Sequence, residues 1–167
     1  MSTARFRVAA RASGRWDARQ APAAIYGTII SASVLAAAGE EEALPIALGV
    51  FFTLLVYWLA ERWSLILGEH LTGEPFDWAH ARHVFVSGWP LVQASYGPML
   101  VLLVARLVGA SVELAINLAL LWTIATLVIL GALAGSRSKL PPLGVIGSAV
   151  FNGLLGLLLI FLKSLLH

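Results

Sequence analysis

Apolar residues run almost unbroken through five stretches of the chain, at about residues 22–38, 44–68, 89–108, 111–134 and 142–166, separated by short polar or proline-bearing joints. A bilayer core about 30 Å thick is crossed by a helix of about 20 residues, and only helices or closed barrels satisfy their backbone there. The pattern therefore predicts an all-α, polytopic transmembrane bundle of five spans. Two limits to its regularity are also expected. The second stretch keeps a helical pattern to Leu71, about 42 Å at 1.5 Å per residue, so its last turns should leave the hydrocarbon. The third contains Gly97-Pro98, and proline removes the hydrogen bond to the carbonyl of Ala94, which predicts a kink or break.

The joints carry their own signals. Gly27, Ser31, Ser33 and Ala37 keep span 1 thin enough for close helix contact, so it is expected to pack centrally. Glu40, Glu41 and Glu42 form an acidic turn, and Pro45 falls in the first turn of span 2. Residues 72–88 form the sizeable loop, in which Pro75 is expected to open a short interfacial helix carrying Phe76, Trp78 and Phe85. Gly109 and Ala110 make a tight turn, Ser111 caps span 4, and Pro141-Pro142 opens span 5.

Charge supplies direction. Arg5, Arg7, Arg11, Arg15 and Arg19 precede the first span with only Asp17 among them, and Arg137 and Lys139 fall on the same side after four alternating crossings. All the lysines and arginines but Arg106 and Lys163 then gather at one face, which predicts an N-in, C-out topology with residues 1–21 as a basic cytoplasmic arm near anionic lipid. A nucleic-acid arm would need a folded reader or an aromatic platform beside it, and the sequence offers neither. Ser33 to Gly39 imitates a signal-peptide cleavage region, but cleavage there would set Arg137 and Lys139 on the side of the acidic turn, so an uncleaved first span is expected.

At 59% hydrophobic and 12% charged, with mean hydropathy +0.87, the chain leaves no polar stretch for a separate extramembrane domain; residues 22–167 read as one membrane domain. The absence of cysteine excludes disulfides and thiolate ligands. No phosphate-binding loop, nucleophile elbow or metalloprotease helix is present, so neither an enzyme nor a cofactor is expected. Nine arginines against two lysines, among abundant Ala, Leu, Gly and Val, suit a GC-rich bacterial genome and hence the bacterial inner membrane.

Candidate chemistry rests on the polar residues within the spans. Tyr57, Glu61, Ser64 and Gly68 share one stripe of span 2, expected to face the bundle or a wet cavity and to make Glu61 the ionisable group of a proton or cation path. In the competing reading Trp58, Glu61, Arg62 and Trp63 form an interfacial belt; Glu61 and Arg62, adjacent and about 100° apart on the helix, are not expected to pair. Gln93 and the break at Pro98 would form the path's flexible wall, and Asn117 and Asn152 would bridge spans. Arg106 and Glu113 are expected to pair across the outer turn. Asp77, His80 and His83, at three-residue spacing, could join Glu69 around a divalent ion.

The segments Ala24-Ile-Tyr-Gly-Thr-Ile-Ile30, Tyr57-Trp-Leu-Ala-Glu61, Trp89-Pro-Leu-Val-Gln93 and Leu162-Lys-Ser-Leu-Leu-His167 resemble an uncharacterised five-span integral membrane family of actinobacteria, which implies architecture and compartment but no activity. Ser64-Leu-Ile-Leu-Gly-Glu69-His70 is similar to the end of the second helix in the vacuolar iron transporter-like family, dimeric proteins with five spans, N-in and C-out. That resemblance implies a cytoplasmic-end carboxylate at Glu69. Leu65 stands where the family has a metal-binding methionine, and Gly27 to Ser31 lacks its acidic element, which argues against iron or manganese transport by that mechanism. The expectation is a small cation or proton-coupled transporter-like protein, homo-oligomeric through the small residues of span 1 and Ala149, Gly153 and Gly156 of span 5. The alternative is a non-transporting accessory or scaffold protein.

Overall fold

Seven helices follow one another in the computed structural model, which describes residues 20–39, 42–71 and 77–166. They are α1 (Gln20–Ala37), α2 (Ala43–Leu71), α3 (Trp78–Ser87), α4 (Pro90–Gln93), α5 (Tyr96–Leu107), α6 (Val112–Arg137) and α7 (Pro142–Leu166), with no strand among the described residues. Residues 1–19 of the basic arm, Glu40, Glu41, residues 72–76, His167 and the Lys163 side chain lie outside the described residues, while the arm's last two residues, Gln20 and Ala21, begin α1. Helices α3 to α5 run on as one interrupted span, Trp78–Leu107, so five helical segments are long and apolar enough to cross a membrane.

The outer surface is apolar like the core, unlike that of a water-soluble bundle. Large apolar side chains such as Phe52, Val56, Leu59, Phe151, Leu154 and Phe161 point outward, whereas Gly27, Thr28, Ser31 and Thr123 are buried. Lipid tails solvate the outer side chains as well as a protein core would, so close backbone approach and hydrogen bonds between helices bring the spans together. Thin α1 packs against α2, α4, α6 and α7, the central place expected of it. At Gly27 an added Cβ would lie 2.3 Å from the Leu91 carbonyl oxygen of α4. Helices α6 and α7 close in the same way: a Cβ on Gly131 would lie 2.7 Å from the Ser148 carbonyl oxygen, and Ser148 Oγ donates to the Gly131 carbonyl at 2.8 Å.

The third span departs from expectation in two ways. Residues 78–87, expected as a short interfacial helix within the loop, are helical but run on into the third span and pack inward: Asp77 accepts from the Ala79 N–H at 3.0 Å as the N-cap, and Ala81 and Val84 bury against Ile66 of α2. Phe85, expected at the lipid interface, instead meets Trp58 edge-on at 5.5 Å. The span is also broken twice. One break lies just before Pro98, where the Ser95 N–H bonds only three residues back, to Val92. The other, unanticipated, lies at Gly88-Trp89, because Pro90 offers no N–H to Val86 and the Trp89 N–H takes that carbonyl.

At the turn ends, Ser111 accepts from the Leu114 N–H at 3.2 Å, as the capping reading required. Arg106 does not pair with Glu113; its guanidinium reaches the Ala110 carbonyl and closes its own turn instead. Gly109 and Lys139 both adopt positive φ, 89° and 56°, where the chain reverses after α5 and α6.

Candidate functional site

The buried face of α2 is defined by Ile46, Ala47, Val50, Leu54, Arg62 and Ile66. Arg62 is thus the ionisable residue turned into the bundle, at 5% exposure. The stripe inferred from sequence points the other way, since Tyr57, Ser64 and Gly68 are exposed. Tyr57 meets Tyr26 edge-on at 6.4 Å, and Ser64 Oγ donates to the Glu61 carbonyl at 2.8 Å.

Arg62 draws Glu61 with it. Its Nη2 lies 2.7 Å from Glu61 Oε1, a pairing not expected from the divergence of neighbouring Cβ positions, which two long, flexible side chains achieve by folding toward each other. The Glu61 side chain remains 40% exposed. Arg62 Nη1 donates to the Val84 carbonyl at 3.4 Å, and Trp58 Nε1 to the Phe85 carbonyl at 3.2 Å. Both acceptors belong to the last turn of α3, where the dipole favours a cation; the Val84 carbonyl also accepts from Ser87 Oγ at 3.0 Å and the Phe85 carbonyl from the Gly88 N–H at 3.3 Å. The break at Pro90 thus creates the terminus that Arg62 and Trp58 cap.

Gly88 makes room for this arrangement. A Cβ there would lie 2.4 Å from Arg62 Nε, 2.6 Å from Cζ and 2.8 Å from Cδ. These near-equal distances set Gly88 over the face of the guanidinium, away from the edge on which its N–H groups lie. Two side-chain atoms in this centre are buried without a hydrogen-bond partner, Arg62 Nε and Glu61 Oε2. Other parts of the same two residues line a cavity of about 700 Å³ between α1, α2 and α3, with Tyr26, Leu65, Glu69 and Val84 also on its wall.

Glu69, two turns beyond Glu61, meets His80 Nε2 at 2.9 Å. Two of the four suggested metal ligands are therefore together, but the set does not assemble: no group of three or more His, Asp or Glu side chains suited to a metal occurs among the described residues. Asp77 caps α3 in its place, and His83 lies exposed on that helix.

The remaining residues proposed for a polar path are dispersed. Gln93 is exposed, Asn117 occupies an exposed position on α6, and Pro98 is fully buried in the stretch that gives Leu102 and Ala105 to the apolar core. Asn152 donates to the Ser148 carbonyl of its own helix at 2.9 Å. The small residues of α7 considered for oligomer contacts are used within the chain: a Cβ on Gly153 would meet Val128 at 2.9 Å, and one on Gly156 would meet Ile124 at 2.9 Å.

The fold and this centre define a class: an all-α, multi-pass membrane protein whose half-buried ion pair borders a cavity between its first three helices. No family model, curated protein or solved structure matches the chain.

Proposed function

We propose that this is a non-transporting accessory or scaffold protein of the bacterial inner membrane, oriented N-in and C-out, with the Glu61–Arg62 cavity as its binding site. The observation that carries this reading is the state of the core's polar groups. Thr28, Ser31, Ser95 and Thr123 are buried, and each hydroxyl donates to a carbonyl three or four residues back in its own chain segment. Hydroxyls so engaged do not offer a chain of sites to a moving ion, and the packed Pro98 lacks the wet surroundings of transporter breaks.

Cation or proton transport is the second reading, favoured by one observation: Glu61 and Glu69 line the same cavity. Flux of protons, Na⁺, K⁺, Fe²⁺ and Mn²⁺ into proteoliposomes separates the two. The scaffold reading predicts no flux above empty liposomes for any of them. Flux that Glu61→Gln abolishes in a folded protein would overturn it.

A further inference from the structure

We infer that the outward face of the broken third span docks a second copy of this chain, with Gln93 and Tyr96 hydrogen-bonding across a two-fold axis. The tightened turn between α4 and α5, where the Ser95 N–H bonds three residues back to Val92, brings residues three apart into line, and Gln93 and Tyr96 are both exposed there, Tyr96 at 41%. Neither side chain has a hydrogen bond among the described residues. Counted at 1.5 Å per residue from Leu107, where α5 ends, Tyr96 lies about 16 Å and Gln93 about 21 Å into a hydrocarbon layer about 30 Å thick. The phenol is therefore near the midplane, and the carboxamide stands about 9 Å from the farther boundary, beyond the roughly 5 Å that a glutamine side chain can reach. An unpaired donor or acceptor in hydrocarbon is costly, so both groups call for a partner at that depth.

Depth narrows the partner. An acyl chain fills space there but carries no donor or acceptor. Copies of one chain insert in one orientation, so a two-fold axis relating two of them runs along the bilayer normal, and each residue meets its counterpart at its own depth. Groups beside such an axis must be complementary to themselves, and a carboxamide and a phenol each both donate and accept. The surroundings suit the same partner. Leu100 and Val104, exposed on α5, line with Leu118, Leu121 and Trp122 of α6 an open apolar groove of about 610 Å³, into which side chains of an equivalent face can pack. A Cβ on Gly97 would lie 2.3 Å from Trp122 Nε1, so the indole N–H stands beside the polar pair as a further donor. This face is distinct from the Glu61–Arg62 cavity, and its pairing is independent of whether the chain carries flux.

The test is subunit counting by single-molecule photobleaching of the full chain, labelled at its N-terminus, in liposomes over a range of protein-to-lipid ratios. The wild-type chain should reach two subunits, and the double variant Gln93→Leu, Tyr96→Phe should pair about tenfold more weakly, because each substitution removes its hydrogen bonds twice in a symmetric pair. A second readout keeps both polar side chains. In this cysteine-free chain, Leu100→Cys or Val104→Cys should give a disulfide-linked dimer on mild oxidation in membranes, whereas Phe151→Cys, exposed on α7, should not. That comparison stands even where the double variant misfolds. A wild-type chain that stays monomeric at every ratio overturns the proposal, whether or not a lipid or another lipid-soluble molecule co-purifies with it. So does a dimer joined through Phe151→Cys and through neither α5 position, and so does a folded double variant that pairs as tightly as wild type.

Discussion

Gly88→Ala sets a backbone gain against a side-chain loss at one position. Gly88 has φ −88° and ψ −6°, a conformation open to alanine, and glycine-to-alanine changes at compatible positions stabilise by about 0.4–1 kcal/mol. The new methyl carbon, however, would begin 2.4 Å from Arg62 Nε and needs about 1 Å more to reach ordinary contact. A guanidinium pushed that far loses the Val84 carbonyl, already at 3.4 Å. A hydrogen bond to a charged group contributes about 1.5–3 kcal/mol, so the variant should be less stable by about 1–2 kcal/mol. Unfolding by SDS in mixed micelles, followed by tryptophan fluorescence, measures the difference. The same substitution in an Arg62→Met background should be neutral or slightly stabilising. A wild-type-background Gly88→Ala protein that gains stability would refute the reasoning, because it would mean that Arg62 is not confined beneath Gly88.

The ion pair is asymmetric in burial, so removing its exposed member should cost more than removing its buried one: Glu61→Gln, which weakens the partner of buried Arg62, is expected to lower stability by about 1–2 kcal/mol and Arg62→Met by less, in the same unfolding assay. The reverse order would contradict the described burial. Gly131→Ala, whose methyl would abut backbone of α7, should destabilise by about 1–3 kcal/mol, whereas Gly147→Ala, with no atom within 4 Å of its added carbon, should stay within about 0.5 kcal/mol of wild type. Because the chain has no cysteine, single replacements report their own positions. In intact cells an impermeant thiol reagent should label Glu42→Cys and spare Ser138→Cys, and the opposite pattern would reverse the proposed orientation.

The spans were legible in the sequence because lipid imposes length and apolarity on every crossing. Rotational phase was not. In water the hydrophobic stripe of a helix names its buried face, but Leu48, Phe52 and Leu59 of α2 are exposed while Val50 and Leu54 are buried, and hydropathy is the same on both sides. Polar residues were then the available guide, and Tyr57 and Ser64 misled because a tyrosine ring and a self-bonded serine are at ease on the outer surface. The α6–α7 contact had a better signal, Gly131-Ala-Leu-Ala-Gly135, a small-residue repeat four apart that aligns with Ser148 and Val145. Nothing local announced the meeting of Arg62 and Gly88, which are far apart in sequence and are joined by the double break in the third span.

Synthesis order and packing order differ in this molecule. Helix α1 is made before α4, α6 and α7, yet its neighbours include all three, and Gly27 rests on the carbonyl of Leu91. Helix α1 must therefore hold the faces that α6 and α7 will cover open to lipid, with Thr28 and Ser31 quieted by their own backbone, until those helices have been inserted. Truncation after α5 would remove both α6 and α7 and leave α1 unclad along those faces, a substrate for membrane quality-control proteases, so the finished fold depends on the final hairpin as much as on the beginning of the chain.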